Sequence, residues 1–311
     1  MGRITVHKPI LRVTVGTDDG DHTARRSDTL AVEEPLEIRI GGEALTVTMR
    51  TPGHDVELAA GYLVAEGVIT RSEQFGSAIH CGGPGTGGRI VETGPRPLLA
   101  QTDGNTYNVL DVTLAPGTPP PDAARARRSV TTSACGVCGV ASIDQVSLTS
   151  SFDAAADPMA VDAAFISSLP DALRAHQDVF EKTGGLHAAA LFDAQTGRML
   201  VLREDVGRHN AVDKVVGWAV LNDRLPARGT VLQVSGRASF ELVQKAAMAG
   251  IPMLSAVSAP SSLAVDLAEA SGITLVGFVR GTTMNVYTRT DRVRIAQPAP
   301  LDSAALDPAA R

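Results

Sequence analysis

The residues most able to do covalent chemistry are Cys135 and Cys138, set two apart in TTSACGVCGVAS (131–142); Cys81 is the third and last cysteine. Four chemistries suit that spacing. A structural zinc site needs about four ligands and one Cys-x-x-Cys supplies two. Cys81, His80 and remote histidines would have to complete it, because no second Cys-x-x-Cys is present. A redox dithiol is reasonable, since one thiolate attacks while the other resolves. The flanking Gly136 and Gly139 and the following ASID, however, read as loop and not as the strand, motif and long helix of a thioredoxin-like context. Inert buried cysteine is the third reading. The fourth is a nucleophilic cysteine on a mobile glycine-rich loop, carrying persulfide sulfur from a donor to an acceptor. Arg127 and Arg128, just upstream, would favour its thiolate. The local sequence leaves all four open.

A second constellation is REDVGRHNAVDK (203–214), which crowds Arg203, Glu204, Asp205, Arg208, His209, Asn210, Asp213 and Lys214 together. It is either a solvated helix start capped by Asn210 or Asp205, or a cleft wall between the apolar runs MLVL and VVGWAV. VSGRASFE (234–241) reads as strand, loop and helix. There Ser235, Gly236 and Arg237, with Ser239 as cap, can offer backbone N–H groups and a guanidinium to phosphate. SAPSS (258–262) repeats that design, and GFVRGTTMNVYT (277–288) adds Arg280 and Gly281. Neither G-x-x-x-x-G-K-[ST] nor G-x-G-x-x-G occurs, which disfavours the common nucleoside-triphosphatase and dinucleotide folds. The loops near 235, 260 and 280 together suit an anionic, nucleotide-like ligand. His187 in TGGLHAAALFD is as well read as a wall residue as a catalyst. Zinc deaminases require H-x-E, and Ala189 stands where the Glu would be.

Elements must position these groups. The chain has 311 residues, enough for one large domain or two ordinary ones. A net charge of −6 points away from nucleic acid, and 44% hydrophobic content points to a folded chain. Aromatics are only 4%, so Val, Leu, Ile and Ala must build the core. The N-terminus shows no signal-peptide pattern, and apolar runs fall short of the roughly 20 residues of a membrane helix. The expectation is a cytoplasmic protein without membrane insertion.

Residues 1–30 end in polar GTDDGDHTARRSD and read as loose. VEEPLEIRI and EALTVTM flank Gly41-Gly42 as a hairpin. A helix should follow, with Thr51 as N-cap, Pro52 in its first turn and Gly67 at its stop. Residues 81–98 read as a glycine- and proline-rich loop, and NVLDVTLAPG as a strand. A helix opening near Pro170 should end at Gly184. Beyond it LHAAALFD, GRMLVLRED, GTVLQVSG, IPMLSAVS and ITLVGFVRG have strand length. HNAVDKVVGWAVLND, SFELVQKAAMA and SSLAVDLAEAS alternate with them as helices, the pattern of a layered α/β domain. The organisation expected is a loose segment (1–30), a smaller strand-rich N-terminal domain (31–130), a mobile Cys-x-x-Cys loop (131–142), a C-terminal α/β domain (143–290) and a tail (291–311).

ACGVCG, TGGLHAAAL, REDVGRHNAVDKVVG, VSGRASFELVQKA and GFVRGTTMNVYT, in that order, resemble the formate dehydrogenase accessory sulfurtransferase family, FdhD. The likeness runs from about 33 to 288. It implies a sulfurtransferase that takes persulfide sulfur from a cysteine desulfurase. The sulfur would go to the bis(molybdopterin guanine dinucleotide) molybdenum cofactor required by formate dehydrogenase. It further implies an α/β (α+β overall) chain whose C-terminal domain has three-layer cytidine-deaminase-like topology, a homodimer, and no resident metal. The persulfide cysteine falls on Cys135, with Cys138 supporting it. The family's cofactor-binding stretch falls on Phe278, Val279, Arg280, Gly281, Thr282 and Thr283. Residue chemistry adds Ser235, Arg237 with Arg280 for pyrophosphate, and His209 or Asp205 to orient pterin or guanine. The alternatives are a cofactor chaperone that moves no sulfur and a dithiol oxidoreductase.

Overall fold

The structure, a computed structural model, describes residues 3–17, 20–81, 107–121, 130–131 and 148–295. Strands β1 (Thr5–Thr17) and β2 (Gly20–Ala31) pair antiparallel from Thr5↔Ala31 to Thr17↔Gly20. The segment read as loose is therefore a ladder. Its polarity reflects exposure of nearly every residue and not absence of structure.

Strands β3 (Glu34–Ile40), β4 (Glu43–Arg50), β5 (Phe75–His80), β6 (Val109–Leu114) and β7 (Val130–Thr131) form a sheet in the order β5-β6-β3-β4-β7. Gly41 and Gly42 turn β3 into β4 with φ of 57° and 87°. Two successive left-handed positions suit glycine, and they match the twist of a hairpin. Helix α1 (Asp55–Ala65) covers this sheet with buried Leu58, Leu63 and Val64. It begins later than Thr51: His54 is the N-cap, and Thr51 is instead tied to the C-terminal part, described below. Gly67 follows the helix end with φ 71°, as expected of a stop.

Strand β8 (Val161–Asp162) leads into α2 (Ala163–Arg174) and α3 (Asp178–Thr183). The helix expected to open near Pro170 is thus two helices, with Pro170 inside the first. The second has its own N-terminus because the Glu204 carboxylate accepts from the amides of Val179 (3.0 Å) and Phe180 (2.8 Å). Gly184 ends it at φ 66°.

The main sheet comprises β9 (His187–Asp193), β10 (Met199–Asp205), β11 (Thr230–Val234), β12 (Met253–Ala256), β13 (Thr274–Arg280) and β14 (Thr283–Val286). Their order is β10-β9-β11-β12-β13-β14. Strands β11, β12 and β13 run parallel and the others antiparallel. Helices α4 (Arg208–Leu221), α5 (Phe240–Met248) and α6 (Ser262–Ala270) alternate with the strands. Leu191, Leu232, Leu254 and Leu275 share one core with these helices and with α1. Phe192, Val231, Met253 and Val276 face the other way, onto Ile166, Leu169 and Leu173 of α2. Burial on both faces is why these strands read as unbroken apolar runs.

The two parts meet where α1 crosses α4. A Cβ on Gly61 would stand 1.8 Å from the Asp213 carbonyl oxygen, and one on Gly217 1.8 Å from that of Glu57. Only glycine permits this approach. Strand β15 (Val293–Arg294) pairs with β8, and buried Arg292 donates to the carbonyls of Ala154, Asp157, Pro252 and Gly272. Residues 291–294 therefore belong to the body and not to a tail.

Candidate functional site

The parallel run of β11, β12 and β13 brings their carboxyl ends to one edge, where open α/β sheets commonly hold ligands. The start of β9 and the end of β10 lie there too, since His187 pairs with Asp205. The loops read as anion-binding are stitched side by side. Ser258 N donates to Gly236 O (3.3 Å), Phe278 N to Ser258 O (3.2 Å), and Arg280 Nε to Val257 O (3.2 Å).

Each expected residue then has a place. Arg237 is exposed at the edge. Ser235 Oγ accepts from Ala188 N (2.9 Å), so this hydroxyl holds β9 to β11. Phe278 is 39% exposed at φ 54°, and Arg280, Gly281, Thr282 and Thr283 form an exposed hairpin tip. Val279 alone in that stretch is fully buried, leaving only its backbone for a ligand. His209 is mostly buried; its Nε2 meets Ser239 Oγ at 3.3 Å and Glu241 Oε2 at 3.7 Å. His209 holds the Glu241 carboxyl down at about 2, against the opposing effect of burial.

Sequence reasoning missed three features of this edge: an Arg208 Nε with no hydrogen-bond partner among the described residues, His187 beside Gly236 near the Arg208 stem, and the Glu241 contact of His209. A Cβ on Gly236 would lie 3.5 Å from His187 Nδ1 and 4.0 Å from Arg208 Cδ. Burial pushes the His187 imidazole below its ordinary value, and the charges of Arg208 and His209 add to that. Arg208 and His187 stand in recognised motifs; that they converge on Gly236 has no local signal.

The rest of the 203–214 segment turns inward. Asp205 is fully buried against Lys214 Nζ (2.7 Å), and its oxygens accept from Gly207 N, Asn210 Nδ2 and Thr51 N. Asn210 also donates to Met49 O and accepts from Thr48 Oγ1. Arg203 clamps Glu57 of α1, which stays at about 2 because Arg203 and His54 outweigh its burial. The segment is therefore not a solvated helix start: Asp205, Asn210, Asp213 and Lys214 make it mainly a buried joint to the N-terminal sheet, and Arg208 and His209 stand at the strand edge. Asp205 is thus not free to orient a ligand.

On the far side of that joint, a cleft of about 360 Å³ is lined by residues including Arg50, His54, Asp55, Glu57, His80 and Tyr107. Arg50 pairs with Asp55 through Nε (3.0 Å) and a terminal nitrogen (3.1 Å). Strand β7 ends at Thr131, paired in register with Thr48. Cys135, Cys138, Arg127 and Arg128 lie outside the described residues. Cys81 is part-buried at the end of β5, its Sγ 3.7 Å from Ile79 O. Among the described residues, no group of three or more His, Cys, Asp or Glu is placed to hold a metal, and no helix is long and apolar enough to cross a membrane.

Comparison with known proteins bears on this arrangement. Residues 31–294 match the model of the FdhD/NarQ family. The sulfur carrier protein FdhD of Mycobacterium bovis is 56% identical over 293 residues, covering 94% of this chain and 100% of that protein. That of Streptomyces coelicolor is 52% identical over 297 residues, covering 95% and 98%. A crystal structure from Desulfotalea psychrophila, of a candidate formate dehydrogenase accessory protein, superposes with a TM-score of 0.68. It does so at 22% identity, over 94% of this chain and 100% of that one, a likeness of fold. By the extent of the family match and the identity of these relatives, the chain belongs to the FdhD/NarQ family.

Proposed function

We propose that this chain is a cytoplasmic sulfur carrier. It accepts persulfide sulfur on Cys135 from a cysteine desulfurase and passes it to the bis(molybdopterin guanine dinucleotide) molybdenum cofactor destined for formate dehydrogenase. The observation that carries this reading is the 56% identity to a sulfur carrier over 94% of the chain. The edge loops support it, because they gather Arg237, Arg280 and exposed backbone where a nucleotide's phosphates can lie.

In the first step the Cys135 thiolate attacks the outer sulfur of the donor's persulfide. The donor cysteine leaves as a thiolate, and the new S–S bond rests on Cys135. In the second, Cys138 attacks the Cys135 sulfur and expels the terminal sulfur as hydrosulfide to the bound cofactor. A Cys135–Cys138 disulfide remains, to be reopened by a cellular dithiol reductant. The cofactor is substrate here, held by the 235, 260 and 280 loops, with His209 fixed by Glu241 at their side. We further assign the C-terminal domain a cytidine-deaminase-like topology, supported by its mixed sheet with helices on both faces. The working unit in this reading is a homodimer.

The test is to incubate the protein with a cysteine desulfurase and ³⁵S-cysteine, then separate it without reductant beside Cys135→Ala and Cys138→Ala. Thiol-removable label on the wild type, absent from Cys135→Ala, is the expected result. Absence of label from every form overturns the carrier reading and leaves cofactor delivery or dithiol redox. Those two part on whether Cys135→Ala still supports formate dehydrogenase maturation.

A further inference from the structure

Strand β1 alternates as a strand covered on one face does. Pro9, Leu11 and Val13 take one side, and Lys8, Arg12 and Thr14 the other. The register with β2 sets Ser27, Arg25 and Thr23 beside the three apolar residues. On that same side the His7 imidazole meets the Thr29 hydroxyl at 3.2 Å. Val6 and Ile10, on the opposite side, are part-buried within the chain. Leu11 and Val13 are instead 59% and 55% exposed, and Val15, where the register shifts toward the tip, is 73% exposed. In β3, the next strand along, Leu36 and Ile38 alternate in the same way and are buried.

A ribbon of two strands is at best marginally stable alone in water, and a contiguous apolar face left open on it marks a contact surface. Area decides which contact. At about 3.4 Å per residue and a strand spacing of about 4.8 Å, the ribbon is about 40 Å long and about 10 Å wide. Laid flat on one partner it removes about 800 Å² from water in total, less than a stable pair needs. Two ribbons exchanged about a twofold axis remove about 1,600 Å², the usual size of a stable interface. A second copy of the chain supplies that reciprocity. Charge agrees with it. In the two strands Lys8, Arg12, Arg25 and Arg26 outnumber Asp21 and Asp28, whereas the whole chain carries −6, so the ribbon is drawn to the body of another copy.

We propose that the β1–β2 ribbon is an arm that lies, with its Leu11 and Val13 side down, on the body of a second copy, each copy holding the other. The ribbon stands almost wholly before residues 31–294, the stretch that matches the family model. The assignment rests on the reading that the working unit is a homodimer, and it names the element that closes it.

The test is sedimentation velocity of the full chain over a range of concentrations. The wild type is expected to be a dimer. Leu11→Asp with Val13→Asp raises its dissociation constant at least about 100-fold, because two aliphatic side chains lose their cover on each arm. Thr14→Asp with Ala24→Asp adds the same charge to the opposite side of the ribbon and leaves the dimer in place. Hydrogen exchange on the unmodified chain reads the ribbon without any substitution that could unravel it. The amides of residues 5–31 exchange more slowly as concentration is raised through the monomer–dimer transition. A wild-type dimer that survives Leu11→Asp with Val13→Asp, or ribbon amides indifferent to concentration, overturns the arm alone. A wild type that stays monomeric at every concentration overturns both the arm and the homodimer reading.

Discussion

Within twelve residues, the segment 203–214 contains two regions of opposite design. Arg203, Asp205, Asn210, Asp213 and Lys214 are satisfied by the protein itself, and they bind the main sheet and α4 to α1 and β4. Arg208 and His209 stand at the strand edge, where Arg208 Nε finds no acceptor among the described residues and His209 faces the polar rim of Ser239 and Glu241. The residue types are alike, so composition cannot distinguish the two regions. The difference is in where each charge finds its counter-charge. A satisfied buried charge holds the fold, whereas a buried donor left without an acceptor is a cost to it.

That contrast can be broken or sharpened by measurement. The largest effect is expected from Lys214→Met, which strands the fully buried Asp205 carboxylate. Removing one partner of a buried pair costs about 3–5 kcal/mol, and chemical denaturation should show it. Adding Asp205→Asn should recover part of the loss; a Lys214→Met protein as stable as wild type ends the description of this pair as a structural joint.

Gly217→Ala comes next, because its methyl would stand 1.8 Å from the Glu57 carbonyl oxygen and the two helices must separate. Overpacking of that kind costs about 3 kcal/mol, read as a lowered denaturation midpoint. An unchanged midpoint means the helices have room that the geometry denies.

The third effect depends on pH. The Glu57 carboxyl sits at about 2 against an ordinary 4.5, so its folded value is depressed. Its contribution is present in full above about 4.5 and is lost as pH falls through about 2. After discounting for screening at a part-exposed clamp, it amounts to about 2 kcal/mol. Glu57→Gln should show a flatter loss of stability than wild type between those two values, and parallel curves would remove the clamp from the joint. At the strand edge the expected stability change on losing Arg208 is the smallest, nil or slightly favourable, and the contrast with Lys214 is the point of measuring both.

Much of the fold was legible. The alternation of strands and helices from His187 to Val286 follows from local apolar periodicity, and the Gly41-Gly42 turn and the Gly67 and Gly184 stops follow from backbone freedom. The failures share one cause. Thr51 was read as a cap, but its amide and hydroxyl bond Asp205 and Val206, more than 150 positions away. The helix break before Asp178 depends on Glu204, and the β1–β2 ribbon on pairing that polar composition conceals. Ser235 looked like a phosphate ligand and instead bridges two strands.

By itself the sequence determined the order and kind of the C-terminal elements, the loops that would meet at the strand ends, and the resemblance that names the family. Those depend on signals local in the chain: period, turn chemistry and motif spacing. Tertiary structure alone decided which charges of 203–214 are buried in pairs and which finds no counter-charge among the described residues. It also decided that two glycines from different domains touch the opposite backbone, and that Arg208 meets His187 across Gly236. Desolvation and pairing act between residues far apart in sequence, so no reading of neighbours along the chain can assign them.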